Sequence, residues 1–389
     1  MGIPSYFSWL VRHFDKKIIN LRPPFHPIHQ FYLDFNCAIH PISRSHPEYS
    51  IEKMCDNVII YLEYLVKYVN PTELLFIAID GVAPVAKIKQ QRLRRYKSVK
   101  ETSETNELKK QYGIELPSNP KDYNMISPAT EFMSILSSKI DIFLKKYVVQ
   151  SKIQIIFSDA SIPSEGEHKI LQHIKTQSHD KNCVIYGLDS DLIMLSLCTQ
   201  RDNVVLIRES TLIRNNNVDV DVDKFPRLDY FLVSELKKLL FTTLVTDHKI
   251  ELLTSNDRLD LSAKLNLGNL CDQMTCQEYD IDCIIKDYIF MSFLLGNDFL
   301  PSFPTLKIRE HGIEKLINAY REALKNNDDY LCSANLMINV PFLTNLIQIL
   351  SSNEEDSLKQ QKDSRDRRIL SHFSSKPNDY IDAVDQYQK

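Results

Sequence analysis

Seven carboxylates stand where an acid is hard to explain as ordinary surface. Asp34 and Asp80 each close a short apolar run, Phe31–Phe35 and Leu74–Asp80. Glu165 and Glu167 flank Gly166 in Ser164-Glu165-Gly166-Glu167-His168-Lys169. Asp189 and Asp191 stand two apart in Gly187-Leu188-Asp189-Ser190-Asp191, and Asp298 lies between Leu295 and Phe299-Leu300. Residues two apart on an extended segment point the same way, so Asp189 and Asp191 are expected side by side. Two such charges repel unless a cation offsets them, and no Lys or Arg adjoins this pair. Hard divalent ions take oxygen ligands, and two of them ~3.5–4 Å apart form the clamp used for in-line phosphodiester cleavage. Asp34, Asp80, Glu165, Glu167, Asp189, Asp191 and Asp298 together therefore read as a two-ion centre for Mg²⁺, with Mn²⁺ as a substitute. Each position also has an ordinary reading. Ser164 with Glu167 spells a capping box, Asp189 fits a helix N-cap, and Asn297-Asp298 suits a turn.

A second constellation follows Asp80 directly. In the stretch after Asp80-Gly81-Val82-Ala83-Pro84, Lys87, Gln91 and Arg94 or Arg95 recur at helical spacing and share one face. From Ala86 to Lys110 nine basic residues stand against Glu101, Glu104 and Glu107, a local excess of six positive charges. A terminal phosphate is doubly charged and rich in acceptors, and Arg and Lys suit it. A charge run is more often a solvated helix face, but this one starts beside a strand-ending acid.

These side chains need a scaffold that brings distant segments together. Short β-branched and aromatic runs recur at Phe31–Phe35, Leu74–Asp80, Ile153–Ser158, Cys183–Asp189 and Asn203–Arg208. Helical periodicity fills Ile51–Val69, Ala86–Tyr112, Thr130–Val148 and Glu167–Gln177. Strands alternating with helices predict an α/β fold with a mostly parallel central sheet flanked by helices. Such sheets carry their sites outside the carboxyl ends of the strands, where Asp34, Asp80 and Asp189 fall. Further on, Asn215 to Asp223 reads as a loop or edge, Phe231–Leu244 as a helix, and Thr246 to Glu278 as weakly patterned. Helices are predicted again from Ile281 to Gly296 and over Gly312–Lys325, giving a helical C-terminal portion. The expected organisation is one domain over 1–350, with core blocks 1–210 and 280–325 around an insertion at 211–279. A polar tail over 351–389 is expected to be partly disordered or to fold against a partner.

Composition narrows the class. The chain has 389 residues, 43% hydrophobic and 25% charged, ample for a sizeable core. No apolar run is long enough to span a bilayer, and no apolar segment of signal-peptide type follows Met1. The eight cysteines form no C-x-x-C pair, which argues against a zinc site and for free thiols in a reducing compartment. An intracellular protein is expected, cytoplasmic or nuclear, with no membrane association. The net charge of −4 means that acids exceed bases outside the basic stretch. That split suits a phosphate substrate together with metal ions.

The spelling of these blocks resembles the Xrn family of 5′→3′ exoribonucleases. The resemblance runs through Met1-Gly2-Ile3-Pro4, Leu33-Asp34-Phe35-Asn36 with Ile39-His40, and Ile79-Asp80-Gly81-Val82-Ala83-Pro84 with Gln90-Gln91-Arg92-x-Arg94-Arg95. It continues through Ile126-x-Pro128-x-Thr130-Glu131-Phe132-Met133, Phe157-Ser158-Asp159-Ala160, Gly166-Glu167-His168-Lys169-Ile170 and Tyr186-Gly187-Leu188-Asp189-x-Asp191-Leu192-Ile193-Met194-Leu195. Phe293-Leu294-Leu295-Gly296-Asn297-Asp298-Phe299-Leu300-Pro301 closes the series, and the blocks keep their order across most of residues 1 to 325. The resemblance implies a flap-nuclease-like (PIN-like) fold with a two-metal site built from the seven acids. It implies that Lys87, Gln91, Arg94 and Arg95 hold a 5′-phosphate and that His40 stacks on the first base. The implied substrate is single-stranded RNA with a 5′-monophosphate, cut to mononucleotides.

The chain also departs from the family's pattern. Val85 stands where many relatives have a basic residue, so the pocket mouth is expected to be less positive. Cys37 replaces a usual glycine beside Asn36. The family's second stacking residue, a tryptophan from a later region, has no counterpart, because Trp9 is the only tryptophan. Two other readings compete: a 5′-nuclease acting on DNA flaps or ends, which the acids alone do not exclude, and a catalytically inactive RNA-binding scaffold, which loss of metal acids would favour.

Overall fold

The structure, a computed structural model, describes residues 3, 5–14, 17–46, 49–114, 122–210, 225–246, 279–297, 299–327, 329–333, 335–352 and 354–373. It divides into two compact units, one built mainly on Ile19–Val233 and the other on Ile3–Ile18 with Ser234–Glu355.

The first unit is organised by a seven-stranded sheet. Its strands are β1 (Ile19–Asn20), β2 (Gln30–Asp34), β3 (Leu74–Ala78), β4 (Gln154–Ser158), β5 (Cys183–Tyr186), β6 (Val204–Glu209) and β7 (Leu228–Leu232), in the order β1-β7-β6-β5-β2-β3-β4. The strands from β6 to β4 are parallel, while β7 and β1 add antiparallel at one edge. Every residue of β2 and β3 is buried, as expected of parallel strands covered on both faces. Phe31, Leu33, Leu75, Ile77, Val184 and Tyr186 alternate onto one face. There they meet α3 (Ile51–Val69) and α5 (Glu131–Ser151), which contribute Leu62, Leu65, Phe132 and Leu136. The opposite face carries Tyr32 and Phe76 against His173 of α6 (Gly166–Thr176). Local chemistry sets the helix starts. Ser50 accepts from the Lys53 N–H and Thr130 from the Met133 N–H, each satisfying an orphan amide of the first turn.

The predicted α/β class and mostly parallel sheet are observed. One element differs: Leu228–Leu232, partly within the span read as a helix, is strand β7, and α8 (Val233–Val245) begins only after it. A short apolar run carries no periodicity that separates the two states, and pairing with β6 decides for the strand. The stretches 211–224 and 247–278, where a loop and weak patterning were expected, lie outside the described residues, as does 374–389 of the tail. Residues Glu354–Phe373 of that tail form a helix.

The second unit is helical: α1 (Tyr6–Phe14), most of α8, α9 (Ile281–Ser292), α10 (Gly312–Lys325) and α11 (Val340–Ser351). Helix α1 is fastened by side-chain polar contacts. The hydroxyls of Tyr6 and Tyr288 hydrogen-bond at 2.8 Å, and Trp9 Nε1 donates to Glu314 Oε1 at 2.8 Å. Asp287 is fully buried and accepts from the Tyr320 hydroxyl and from the N–H groups of Leu331 and Cys332, which ties the 331–332 loop to α9.

Candidate active site

The sheet winds outward from β2: β3 and β4 lie to one side, β5 and β6 to the other. Such a switch point leaves a crevice beyond the carboxyl ends of the strands. Asp34 is the last residue of β2, Asp80 lies two residues past β3, and Asp189 three past β5. Glu165 and Glu167 sit at the amino end of α6, and Asp191 opens α7 (Asp191–Cys198). Six of the seven predicted acids thus sit at strand ends or helix starts on this side of the sheet; Asp298 lies outside the described residues.

Two glycines permit the close approach. A Cβ on Gly166 would lie 2.6 Å from Asp34 Oδ1. Without it, the Gly166 N–H reaches Asp80 Oδ1 at 2.7 Å. The amino end of α6, which favours negative charge, is thereby wedged between Asp34 and Asp80. At Gly187 a Cβ would meet Leu192 Cδ1 at 2.0 Å, so glycine lets the Leu192 side chain of α7 pack directly against the end of β5.

Two local expectations are corrected. Ser164 and Glu167 do not form a capping box: Glu165 is the N-cap residue and makes no capping bond. Ser164 has φ +102°, and its backbone pairs with Gly81 and Val82 instead. The carboxylate of Glu165 turns to Lys87, with Nζ to Oε2 at 2.9 Å. Asp189 and Asp191 are not neighbours on an extended strand either, because β5 ends at Tyr186 and the chain turns at Ser190 into α7. Asp189 instead bears on Asp34, and Asp191 on Glu167.

Burial and mutual repulsion raise the proton affinity of Asp34, Glu167 and Asp80. Asp34 is held well above the usual carboxylate range, first by burial and then by Asp80 and Asp189, with the Cys37 thiol donating to it at 3.4 Å as partial relief. Glu167 is likewise raised, by burial and then by Asp34, Asp191 and Glu165. Asp80 is raised by burial against the opposing Gly166 N–H. Two lysines enter the cluster, which the spacing of the acids did not reveal. Lys87 pairs with Glu165, while Lys169 Nζ donates to the carbonyls of Ile79 and Asp159 at 2.7 and 2.9 Å. They do not complete the neutralisation: Glu165 is 6% exposed, and its Oε1 is buried without a hydrogen-bond partner. Buried carboxylate oxygens in excess of cations, one of them orphaned, fit the all-oxygen donor set of a hard divalent ion. Asn36 also belongs here, its side-chain oxygen accepting the Asp80 N–H at 3.2 Å. It lay inside a quoted motif, but nothing in its residue type announced that bond.

The basic constellation lies on α4 (Val85–Gln111). Lys87 is buried and points to Glu165; Gln91 is half-buried; Arg94 and Arg95 are exposed. Arg95 donates to Ser127 Oγ at 2.9 Å. Residues 92–100 are all exposed, as is Val85. His40, on α2 (Asn36–Ser45), connects the two constellations. Its pKa is lowered to about 4, first by burial and then by Arg44 and Arg94, with Asp189 opposing. The ring is neutral at neutral pH, and its buried Nδ1 has no hydrogen-bond partner. Trp9 is 1% exposed, stacked on His13 in the helical unit, and offers no free face to a base.

Comparisons with known proteins bear on the family of the chain rather than on its individual site residues. Residues 1–210 match the family described as XRN 5'-3' exonuclease N-terminus, and residues 278–388 match the Xrn1 helical domain. The chain is similar to 5'-3' exoribonuclease 2 of Kluyveromyces lactis, with 32% identity over 99% of this chain and 43% of that protein. It is also similar to 5'-3' exoribonuclease 2 of Schizosaccharomyces pombe, at 32% identity over 95% of this chain and 41% of that one. The chain therefore spans less than half the length of these relatives. A solved flap endonuclease of bacteriophage T5, in complex with DNA and metal ions, aligns over 83% of this chain and 100% of that one. The identity is 9% and the TM-score 0.29, a likeness too low to carry an argument. Among the described residues no helix is long and apolar enough to cross a membrane.

Proposed function

Because the chain belongs to the XRN 5'-3' exonuclease family, we propose that it is a metal-dependent exoribonuclease acting on single-stranded RNA with a 5′-monophosphate. The observation that carries this reading is the cluster of buried and half-buried carboxylates at the ends of β2, β3 and β5, with the orphaned Oε1 of buried Glu165 inside it. In this reading Asp34, Asp80, Glu165, Glu167, Asp189, Asp191 and Asp298 hold two divalent ions, Mg²⁺ by preference or Mn²⁺. Such ions supply the Lewis acidity that activates water and stabilises the leaving oxygen of an in-line displacement.

The chain's own groups do the rest. Gln91, Arg94 and Arg95 receive the 5′-phosphate at the exposed face of α4, charge-assisted donors being strong partners for phosphate oxygens. Lys87, on the same helix, couples that pocket to Glu165. His40, neutral and without a partner on Nδ1, stacks on the first base; such stacking tolerates every base. Cleavage between the phosphorus and the 3′-oxygen of the first nucleotide releases a nucleoside 5′-monophosphate. The shortened RNA keeps a 5′-phosphate, so the same pocket receives the next end.

The test is digestion of RNAs with 5′-monophosphate, 5′-hydroxyl and capped ends, and of 5′-phosphorylated DNA, in Mg²⁺ and then in EDTA. Mononucleotide release from the monophosphorylated RNA alone, stopped by EDTA, is the expected result. Equal cutting of all ends would overturn the exonuclease reading. Preference for DNA would favour a flap-type nuclease, and binding without cutting a scaffold.

A further inference from the structure

We propose that Cys37 is a sulfur ligand of the carboxylate centre, which makes its Asp34–Asp189 side a trap for a thiophilic divalent ion of the Zn²⁺ and Cd²⁺ class. The inference rests on the proposed metal centre and adds a ligand to it. The Sγ of Cys37 and a carboxylate oxygen from each of Asp34 and Asp189 all lie within 4.8 Å of one another, the one such group of three among the described residues.

Local structure holds the sulfur there. Helix α2 starts at Asn36, two residues past the end of β2, and turns Cys37 back so that Sγ is 3.4 Å from Asp34 Oδ2. From the β5 side the Leu188 N–H donates to the same sulfur at 3.4 Å. The thiol thus bridges the ends of two neighbouring strands. The distance matches the chemistry: with Zn–S ~2.3 Å and Zn–O ~2.1 Å, a tetrahedral S···O edge is about 3.6 Å. A second observation points to a cation at the same centre. Glu165, also buried, keeps Oε1 without a partner, and its charge bears on Asp34.

Ligand softness gives the consequence. Mg²⁺ takes oxygen and leaves the thiol aside, whereas Zn²⁺ and Cd²⁺ bind sulfur. As the metal–sulfur bond forms, the S–H proton is released to the buffer. A soft ion so held occupies the oxygens of Asp34 and Asp189 and excludes the ion the reaction uses.

The experiment uses the full chain with Cd²⁺ alone as the soft probe and Mn²⁺ as the oxygen-seeking one. Cd²⁺ should produce a thiolate-to-metal charge-transfer band at one equivalent and protect Cys37 from alkylation, read by peptide mapping. In Cys37→Ser the band should vanish and Cd²⁺ affinity should fall by more than about 100-fold, beyond the ~10–100-fold lost with a group that merely supports a ligand. Mn²⁺ affinity by calorimetry should be unchanged. Mn²⁺ binding without the band, or a band that survives Cys37→Ser, overturns the sulfur ligand and leaves the carboxylate centre standing. Failure of both ions to bind overturns both readings. The alkylation arm needs no variant: Cd²⁺ binding that leaves Cys37 as reactive as before refutes the proposal even if Cys37→Ser does not fold.

Discussion

Lys87 is the cation on which the metal-free centre most depends, and Lys87→Met measures that dependence. Its ammonium lies 2.9 Å from Glu165 Oε2, with the two side chains 5% and 8% exposed. Breaking a buried pair by removing one partner costs about 3–5 kcal/mol, because the remaining charge is stranded. Methionine keeps most of the volume, so little of that loss is packing. The loss is limited by proton uptake. Lys87 opposes the raised proton affinity of Asp80 and Glu167, so its removal pushes both further up. The folded variant then binds protons more tightly than the unfolded chain, and its deficit shrinks as pH falls toward the usual carboxylate range. We expect about 3 kcal/mol at pH 7 by urea titration, a smaller deficit at pH 5, and recovery of most of it in Lys87→Met/Glu165→Gln. Saturating Mn²⁺ should narrow the gap further, because the stranded Glu165 carboxylate binds the ion more tightly in the variant, and each ten-fold gain in affinity closes the gap by ~1.4 kcal/mol. A deficit below ~0.5 kcal/mol at pH 7, within the range of ordinary surface substitutions, would refute this account of the pair. So would a double variant no more stable than the single one.

Asp189→Ala and Asp191→Ala should each abolish RNA cleavage while leaving the circular dichroism spectrum unchanged; more than about a tenth of wild-type activity would count against a metal role, since Lewis-acid stabilisation is worth several kcal/mol. Arg94→Ala should weaken the preference for 5′-monophosphate over 5′-hydroxyl RNA by roughly ten-fold, a charged hydrogen bond contributing ~1.5–3 kcal/mol, and an unchanged ratio of initial rates would exclude Arg94 from the pocket. With His40 as the one stacking residue proposed among the described residues, digestion should be distributive: intermediate products should accumulate and stop shortening when unlabelled RNA is added as a trap, more so in His40→Ala. Complete digestion of each bound RNA despite the trap would sink that prediction. In the helical unit, the hydrogen bonds from His13 and Trp9 together outweigh burial and hold Glu314 at about 2 against an ordinary 4.5. A depressed carboxyl contributes stability above its unfolded value and loses it as pH falls through the folded one, so Glu314→Gln should cost about 2–3 kcal/mol at pH 7 and roughly half of that or less at pH 3; equal urea-midpoint shifts at both pH values would contradict it.

Much of the fold is legible in the sequence because the evidence for it is local. The boundaries of α3 and α10 follow from periodicity alone, since their apolar stripes and ends repeat within a few residues. Strands β2 and β3 read as continuous apolar runs because both their faces are covered. Leu228–Leu232 misled for the complementary reason: its state is fixed by pairing with β6 rather than by its own pattern. Helix α2 is amphipathic, but Pro41 inside it reads as a helix breaker.

The sequence by itself determined which residue types gather at strand ends, and motif order tied them to one family. Only tertiary structure decided how they meet. Lys87, spaced along a helix as though for phosphate, turns inward to Glu165. Asp189 and Asp191, two residues apart, serve different neighbours because the chain turns between them. Cys37 faces Asp34 and Leu188 together because α2 reverses direction just past β2. The physical reason is range. Propensity and periodicity act over a few residues, whereas the electrostatics of a site depend on distances between residues as far apart in sequence as Asp34 and Gly166.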